Sequence, residues 1–108
     1  MPINQKTSQL ADVTVLTILH TVPTATNSIA ASIIVCNRTA GALTFDIAVV
    51  PGGGGFQNVK NFIYFEHAIP AKETFVATIG VGLAATDEIV VKGSASGLSF
   101  TFTGPEFT

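Results

Sequence analysis

Two histidines, His20 and His67, and a single cysteine, Cys36, are the most reactive side chains of this 108-residue sequence, and their spacing offers little chemistry. A zinc site would need them to converge from separate strands with a carboxylate such as Glu66 or Asp46, because no two of them have the short separation of a ligand motif. Period-two counting puts His20 on one strand face with Leu16 and Ile18, so it reads as a solvated or hydrogen-bonded ring near a sheet rim; His67 reads alike. Cys36 lies between Val35 and Asn37 in an apolar run, with Arg38 two residues on, and reads as a small packed thiol. A Cys/His nucleophile would need one of the rings within about 3 Å.

Gly80-Val81-Gly82-Leu83-Ala84-Ala85 spells the start of a dinucleotide fingerprint. That motif must open a helix, whereas Thr86-Asp87 turns straight into a strand from Glu88. The run Pro51-Gly52-Gly53-Gly54-Gly55 lacks the Gly-Lys-Ser/Thr ending that holds phosphate and magnesium. There is no GxSxG, and the acids look like ordinary turn acids. Asn37-Arg38-Thr39 is a glycosylation sequon in form only, since no apolar stretch follows a basic one at the start and no signal peptide is expected. The aromatics Phe56, Phe62, Tyr64 and Phe65, beside Asn58 and Asn61, could stack on a sugar ring. Against that, Phe62 and Tyr64 fit a core face and Phe65 an outward one, and the sequence has no tryptophan. These residues predict no catalytic group, no metal and no cofactor, and hence not an enzyme.

The elements that would position them are strands. Runs rich in Val, Ile, Thr and Phe recur between clusters of Gly, Pro, Asn and Asp: Val15 to Val22, Ala30 to Arg38, Leu43 to Val50, Asn61 to Ile69, Thr74 to Val81, Glu88 to Gly93 and Leu98 to Thr103, with Ser8 to Ala11 as an eighth. The expected fold is an all-β, small antiparallel sandwich of 7–8 strands, immunoglobulin-like or jelly-roll. Residues 1–9 read as a polar N-terminal arm, disordered or adding a strand to a neighbour's sheet, and residues 10–108 as one domain. Val22 to Asn27, Arg38 to Gly41 (Gly41 at positive φ) and Ala84 to Asp87 read as tight reversals, with Asp87 accepting backbone N–H groups and Ser96-Gly97 as a short hairpin.

Leu43 to Ile47 and Leu98 to Thr103 alternate as half-buried strands with a wet side. Ser32-Ile33-Ile34-Val35-Cys36 and Asn61-Phe62-Ile63-Tyr64-Phe65 are apolar on both faces, so the second face needs cover from a sheet, a loop or, as the favoured reading, another subunit. Composition points the same way. The sequence is 47% hydrophobic and only 11% charged, with formal charge -2 and mean hydropathy +0.53. A surface so neutral suits a subunit among neighbours. Five scattered Lys and Arg make nucleic acid a poor ligand, and apolar runs this short do not span a membrane as helices. One cysteine allows no internal disulfide, consistent with assembly in a reducing cytoplasm.

Leu19-His20-Thr21-Val22-Pro23, Ser32-Ile33-Ile34-Val35-Cys36-Asn37-Arg38 and Thr44-Phe45-Asp46-Ile47-Ala48-Val49, in that order, resemble small virion structural proteins of tailed bacteriophages, cyanophages among them. Asn61 to Phe65, Ile69-Pro70-Ala71, Thr74-Phe75, Ile79-Gly80-Val81, Leu83 to Asp87 and Ser99 to Phe102, with Gly104 and Glu106, extend the resemblance from about residue 15 to the end. It implies a capsid cement or decoration protein located in the virion, assembled in the host cytoplasm as a trimer or dimer, and bound to the major capsid protein or other virion proteins. The alternative is a tail, baseplate or fibre module that binds another virion protein or a host-surface glycan. Contacts are expected at Ile3, Asn4, Gln5, Lys6 and Thr7, at Gly52, Gly53, Gly54, Gly55 and Phe56, and at outward-facing Ile34 and Phe65.

Overall fold

The Val-, Ile-, Thr- and Phe-rich runs fold as strands, and the computed structural model describes residues 3–52 and 59–108. Among these residues the order is β1 (Ile3–Ala11), β2 (Thr17–Thr21), β3 (Asn27–Asn37), β4 (Leu43–Val50), a 3-10 turn (Val59–Asn61), β5 (Phe62–Ile69), β6 (Thr74–Leu83), β7 (Glu88–Gly93) and β8 (Leu98–Phe107). They make two four-stranded sheets, β1-β8-β3-β6 and β2-β7-β4-β5, and all pairs are antiparallel. β4 and β5 are sequential neighbours within one sheet, while every other connection passes from one sheet to the other. Of the two expected sandwiches, this order is the jelly roll. Ser96-Gly97 therefore does not close a hairpin: it carries the chain from β7 in one sheet to β8 in the other.

The inner faces meet in one core, in which Ile33, Val35, Phe100 and Phe102 of the first sheet oppose Phe45, Ile47 and Val91 of the second. Aromatic side chains fill one side. Phe45 lies 5.4 Å from Phe75, 6.1 Å from Tyr64 and 5.2 Å from the His67 ring, which stacks on it. His67 is thus half-buried in an aromatic cluster, its Nδ1–H donating to the Ala68 carbonyl at 3.0 Å.

Where the strands depart from simple alternation, bulges are the cause. The β2–β7 register slips between Ile18 and His20, so Leu19 and His20 are both buried while Ile18 stays 41% exposed. His20 therefore does not share a face with Ile18, as period-two counting has it. β5 slips twice against β4, which puts Phe62 beside Ala48 on the outer face and Tyr64 inside, not both on one core face. Glu66 in the second bulge has φ 48, and its N–H donates to the Asp46 carboxylate at 2.6 Å. Asp46 is buried there, so the wet side expected of β4 is dry at Asp46 and half-buried at Thr44.

The segment expected as an arm from residue 1 to 9 is, from Ile3, an edge strand of the chain's own sheet, paired one-for-one with β8 from Ile3↔Phe107 to Ala11↔Ser99. It looked unanchored because Ile3 to Thr7 have no buried side chain; the backbone ladder alone holds them. β8 runs on past Thr103 through Gly104 and Pro105, because β3 bulges between Ser28 and Ser32 and leaves Pro105 no β3 partner that would need its missing N–H. The Pro105 carbonyl accepts the Ser28 hydroxyl instead, at 3.0 Å.

The crossovers are fastened by side chains. Asp87 accepts the N–H of Ala84 at 2.9 Å and of Gly52 at 2.8 Å, tying the β6–β7 turn to the root of the β4–β5 connection. Asn37 of the sequon is buried, with its amide donating to the Gly41, Ile69 and Pro70 carbonyls and accepting from Thr39. That network shapes the β3–β4 crossover, and Gly41 does not take the positive φ expected of it. Thr86, exposed and β-branched, has φ 70, a conformation that costs such a residue about 1 kcal/mol or more. Thr86→Asn is expected to raise the unfolding free energy by about 0.5–1 kcal/mol in urea titration, since asparagine tolerates that region.

Candidate interaction surfaces

The outer face of the β1-β8-β3-β6 sheet is set by register. Val76, Ile34, Thr101 and Gln9 form one cross-strand row, and Thr74, Cys36, Ser99 and Ala11 the next. Ile34 is half-buried between Thr101 and the 54% exposed Val76, so these two rows are mostly hydroxyl-bearing with one aliphatic pair. Cys36 is half-buried on that outer face rather than packed inside.

On the other sheet the outer face is partly covered by the chain itself. Ala48, Val50 and Val90 are buried beneath Leu16 and Phe62, a second small core. Leu16 of the β1–β2 connection and Phe62 of β5 supply this cover from within the chain. Uncovered apolar side chains remain at Ile18 of β2, 41% exposed, and along β5, where Phe65 is 61% and Ile63 40% exposed, with Val59 beside them in sequence at 77%. The Phe65 ring rests against Phe62 at 4.8 Å.

The expected contact residues therefore fall into separate groups. Ile3, Asn4, Gln5, Lys6 and Thr7 are exposed along the β1 edge, and Ile34 lies inward on the same sheet. Phe65 and Gly52 belong to the β4–β5 hairpin of the other sheet. Gly53, Gly54, Gly55 and Phe56 lie outside the described residues. The aromatics weighed as a sugar platform are divided: Tyr64 packs inside, 5.5 Å from Phe75, while Phe62 and Phe65 pair outside.

A chemical constellation that sequence reasoning missed lies between the sheets. His20 of β2 is buried, its Nε2 3.0 Å from the Glu106 carboxylate of β8 and its Nδ1 3.1 Å from the Ser8 hydroxyl of β1. The ring also packs on Phe102, with centroids 4.3 Å apart. Nε2–H donates to Glu106, and Nδ1 accepts the Ser8 hydroxyl when the ring is neutral. Ser, His and carboxylate in contact suggest an activated nucleophile, but His20 and Glu106 are under a tenth exposed and Ser8 sits in a straight ladder with β8. Its evident work is to tie the two sheets along their β1/β2 side. Nothing in the sequence joins residues 8, 20 and 106; only the bulge that turns His20 inward brings them together.

At one end of the sandwich Arg38 donates to Asp12 and, through Nε, to the Ser99 hydroxyl at 2.8 Å. The hydrogen bond from Arg38, with a second from the Gly97 N–H, holds the Asp12 carboxyl below its ordinary pKa. Its contribution is therefore present at neutral pH and is lost only as pH falls through that lowered value.

No family model matches the chain. No curated protein matches it either. Among solved structures it is similar to a chain of infectious bursal disease virus, Gt strain, at 13% identity and TM-score 0.47, over 98% of this chain and 29% of that one. A chain of the Gx strain gives 13% identity and TM-score 0.41, over 94% and 28% respectively. The chain thus spans less than a third of each viral chain it matches, and at this level neither likeness bears on function. Among the described residues, no group of three or more His, Cys, Asp and Glu is placed to hold a metal ion.

Proposed function

We propose that this chain is a virion structural protein, specifically a cement or decoration protein of a bacteriophage capsid. In this reading it works as a homo-oligomer that bridges major capsid protein subunits and adds binding free energy to the shell. The observation that carries the reading is the eight-strand jelly roll, an architecture used repeatedly for capsid building blocks, combined with a sparsely charged surface. The same architecture also serves lectins and cupins, so the exterior distinguishes this chain. The buried polar cluster is enclosed, whereas large apolar side chains are left uncovered on β5. Aromatic residues backed by a rigid sheet suit the centre of a protein contact.

Phe65→Ser combined with Ile63→Ser is expected to leave the thermal midpoint within a few degrees of wild type, since both residues are substantially exposed. The same variant is expected to be depleted at least about tenfold from purified particles, measured by quantitative mass spectrometry against the major capsid protein. Normal incorporation would refute the β5 contact. Binding of the isolated protein to host-surface glycans, lost in this variant, would favour the tail or fibre reading instead.

A further inference from the structure

We infer that β1 is a homodimerisation edge: two copies pair β1 with β1 antiparallel about a two-fold axis and join their sheets into one eight-stranded sheet. The inference is independent of the virion reading, because a dimer in solution holds or fails whatever shell the protein joins. It rests on how the four sheet edges among the described residues differ. A bare edge offers a row of unpaired N–H and C=O groups, and native proteins interrupt such rows with bulges, charge or brevity. β2 is five residues long and bulged. β5 carries two register slips and has Glu66 at positive φ. β6 slips against β3 opposite Ala30–Ser32, where Gly80 has φ 58. β1 has neither a bulge nor brevity, and only a single charge. It pairs with β8 over nine residues without a slip, contains no proline, and has Lys6 as its one charged residue.

The residues of β1 also complement themselves. The register that uses the whole strand, about 30 Å long at about 3.4 Å per residue, is centred on Thr7. It sets Thr7 opposite Thr7 of the second copy, Gln5 opposite Gln9, and Ile3 opposite Ala11. Hydroxyl then meets hydroxyl, amide meets amide, and the 61% exposed Ile3 gains an apolar cover. On the other face Lys6 falls opposite Ser8, not opposite its own mate, so the seam contains no like-charge pair. A two-fold seam closes on itself and stops, which lets an open edge exist without runaway stacking.

Sedimentation equilibrium of the full chain at about 100 µM tests this with two double variants at exposed positions. Wild type is expected to be a dimer. Gln5→Lys with Gln9→Lys places like charges opposite each other twice and is expected to weaken the dimer by at least about tenfold. Gln5→Glu with Gln9→Lys places opposite charges in the same positions and is expected to dimerise at least as well as wild type. Circular dichroism melts of all three are expected to coincide once dimer is diluted away, separating a lost contact from a lost fold. A monomeric wild type, an oligomer indifferent to the double lysine variant, or equal loss in both variants would overturn the proposal.

Discussion

Replacing His20 with alanine is expected to lower the unfolding free energy by about 3–5 kcal/mol, because it leaves the Glu106 carboxylate between the sheets without its main partner. The His20 and Glu106 side chains are 8% and 5% exposed, so little water can take the lost partner's place. The Ser8 hydroxyl and the Phe102 face lose their contact as well. The informative comparison is the double replacement His20→Leu with Glu106→Leu. It removes both polar groups at roughly constant volume, and it is expected to recover most of the loss because dehydrating the pair offsets much of what the pair gains. Glu106→Gln, which keeps an oxygen for the Nε2–H donor, is expected to fall between. Urea titrations with a common m-value check all three. A His20→Ala loss below about 1 kcal/mol would mean that the pair is effectively solvated.

Gly104→Ala is expected to be comparably severe, about 3 kcal/mol, at the upper end of what overpacking costs. A Cβ at this position would lie 2.0 Å from the Ile29 carbonyl oxygen and 3.2 Å from the Ala31 nitrogen. Both are backbone atoms of the β3 bulge and cannot rotate aside. Relief requires that β3 and β8 separate where Ser28 bonds Pro105 and where Glu106 reaches His20. Gly104→Ala and His20→Ala are therefore expected to combine to less than the sum of their separate losses, since each disrupts the same end of β8. A thermal midpoint within a degree or two of wild type for Gly104→Ala would show that the bulge yields freely.

β4 and β7 were legible in the sequence to the residue, since Leu43 to Val50 and Glu88 to Gly93 are bounded by clear turn residues and are dense in β-branched side chains. β1 was mostly illegible because it gains stability from a ladder and not from burial, and a ladder leaves no apolar period in Asn4-Gln5-Lys6-Thr7. Facing errors at His20, Phe62 and Tyr64 share one cause: a bulge adds a residue to one strand and reverses parity beyond it, with no fixed signature in residue type. Periodicity identifies which side of a strand is apolar but not which strand lies beside it. Hence Ser96-Gly97 looked like a hairpin, and the choice between the two sandwich topologies had to come from the pairing itself.

The candidate contact surface was legible only in part. Phe65 stood out because it repeats the apolar character of its neighbours on a strand already supplied with an inner face, and Ile34 did so for the same reason. The sequence could not show that Thr101 and Val76 flank Ile34, or that Phe62 and Leu16 close over Ala48 and Val90, because these are long-range contacts.

We propose that the function lies on the exterior of a jelly-roll unit that assembles in a virus particle. Cryo-electron microscopy of purified particles tests it most directly, by locating this domain and counting its copies. Density for the jelly roll is expected in hundreds of copies over the shell, with the β5 aromatics against a capsid subunit. Absence from the particle, or presence only as about three to eighteen copies on the tail, would contradict it.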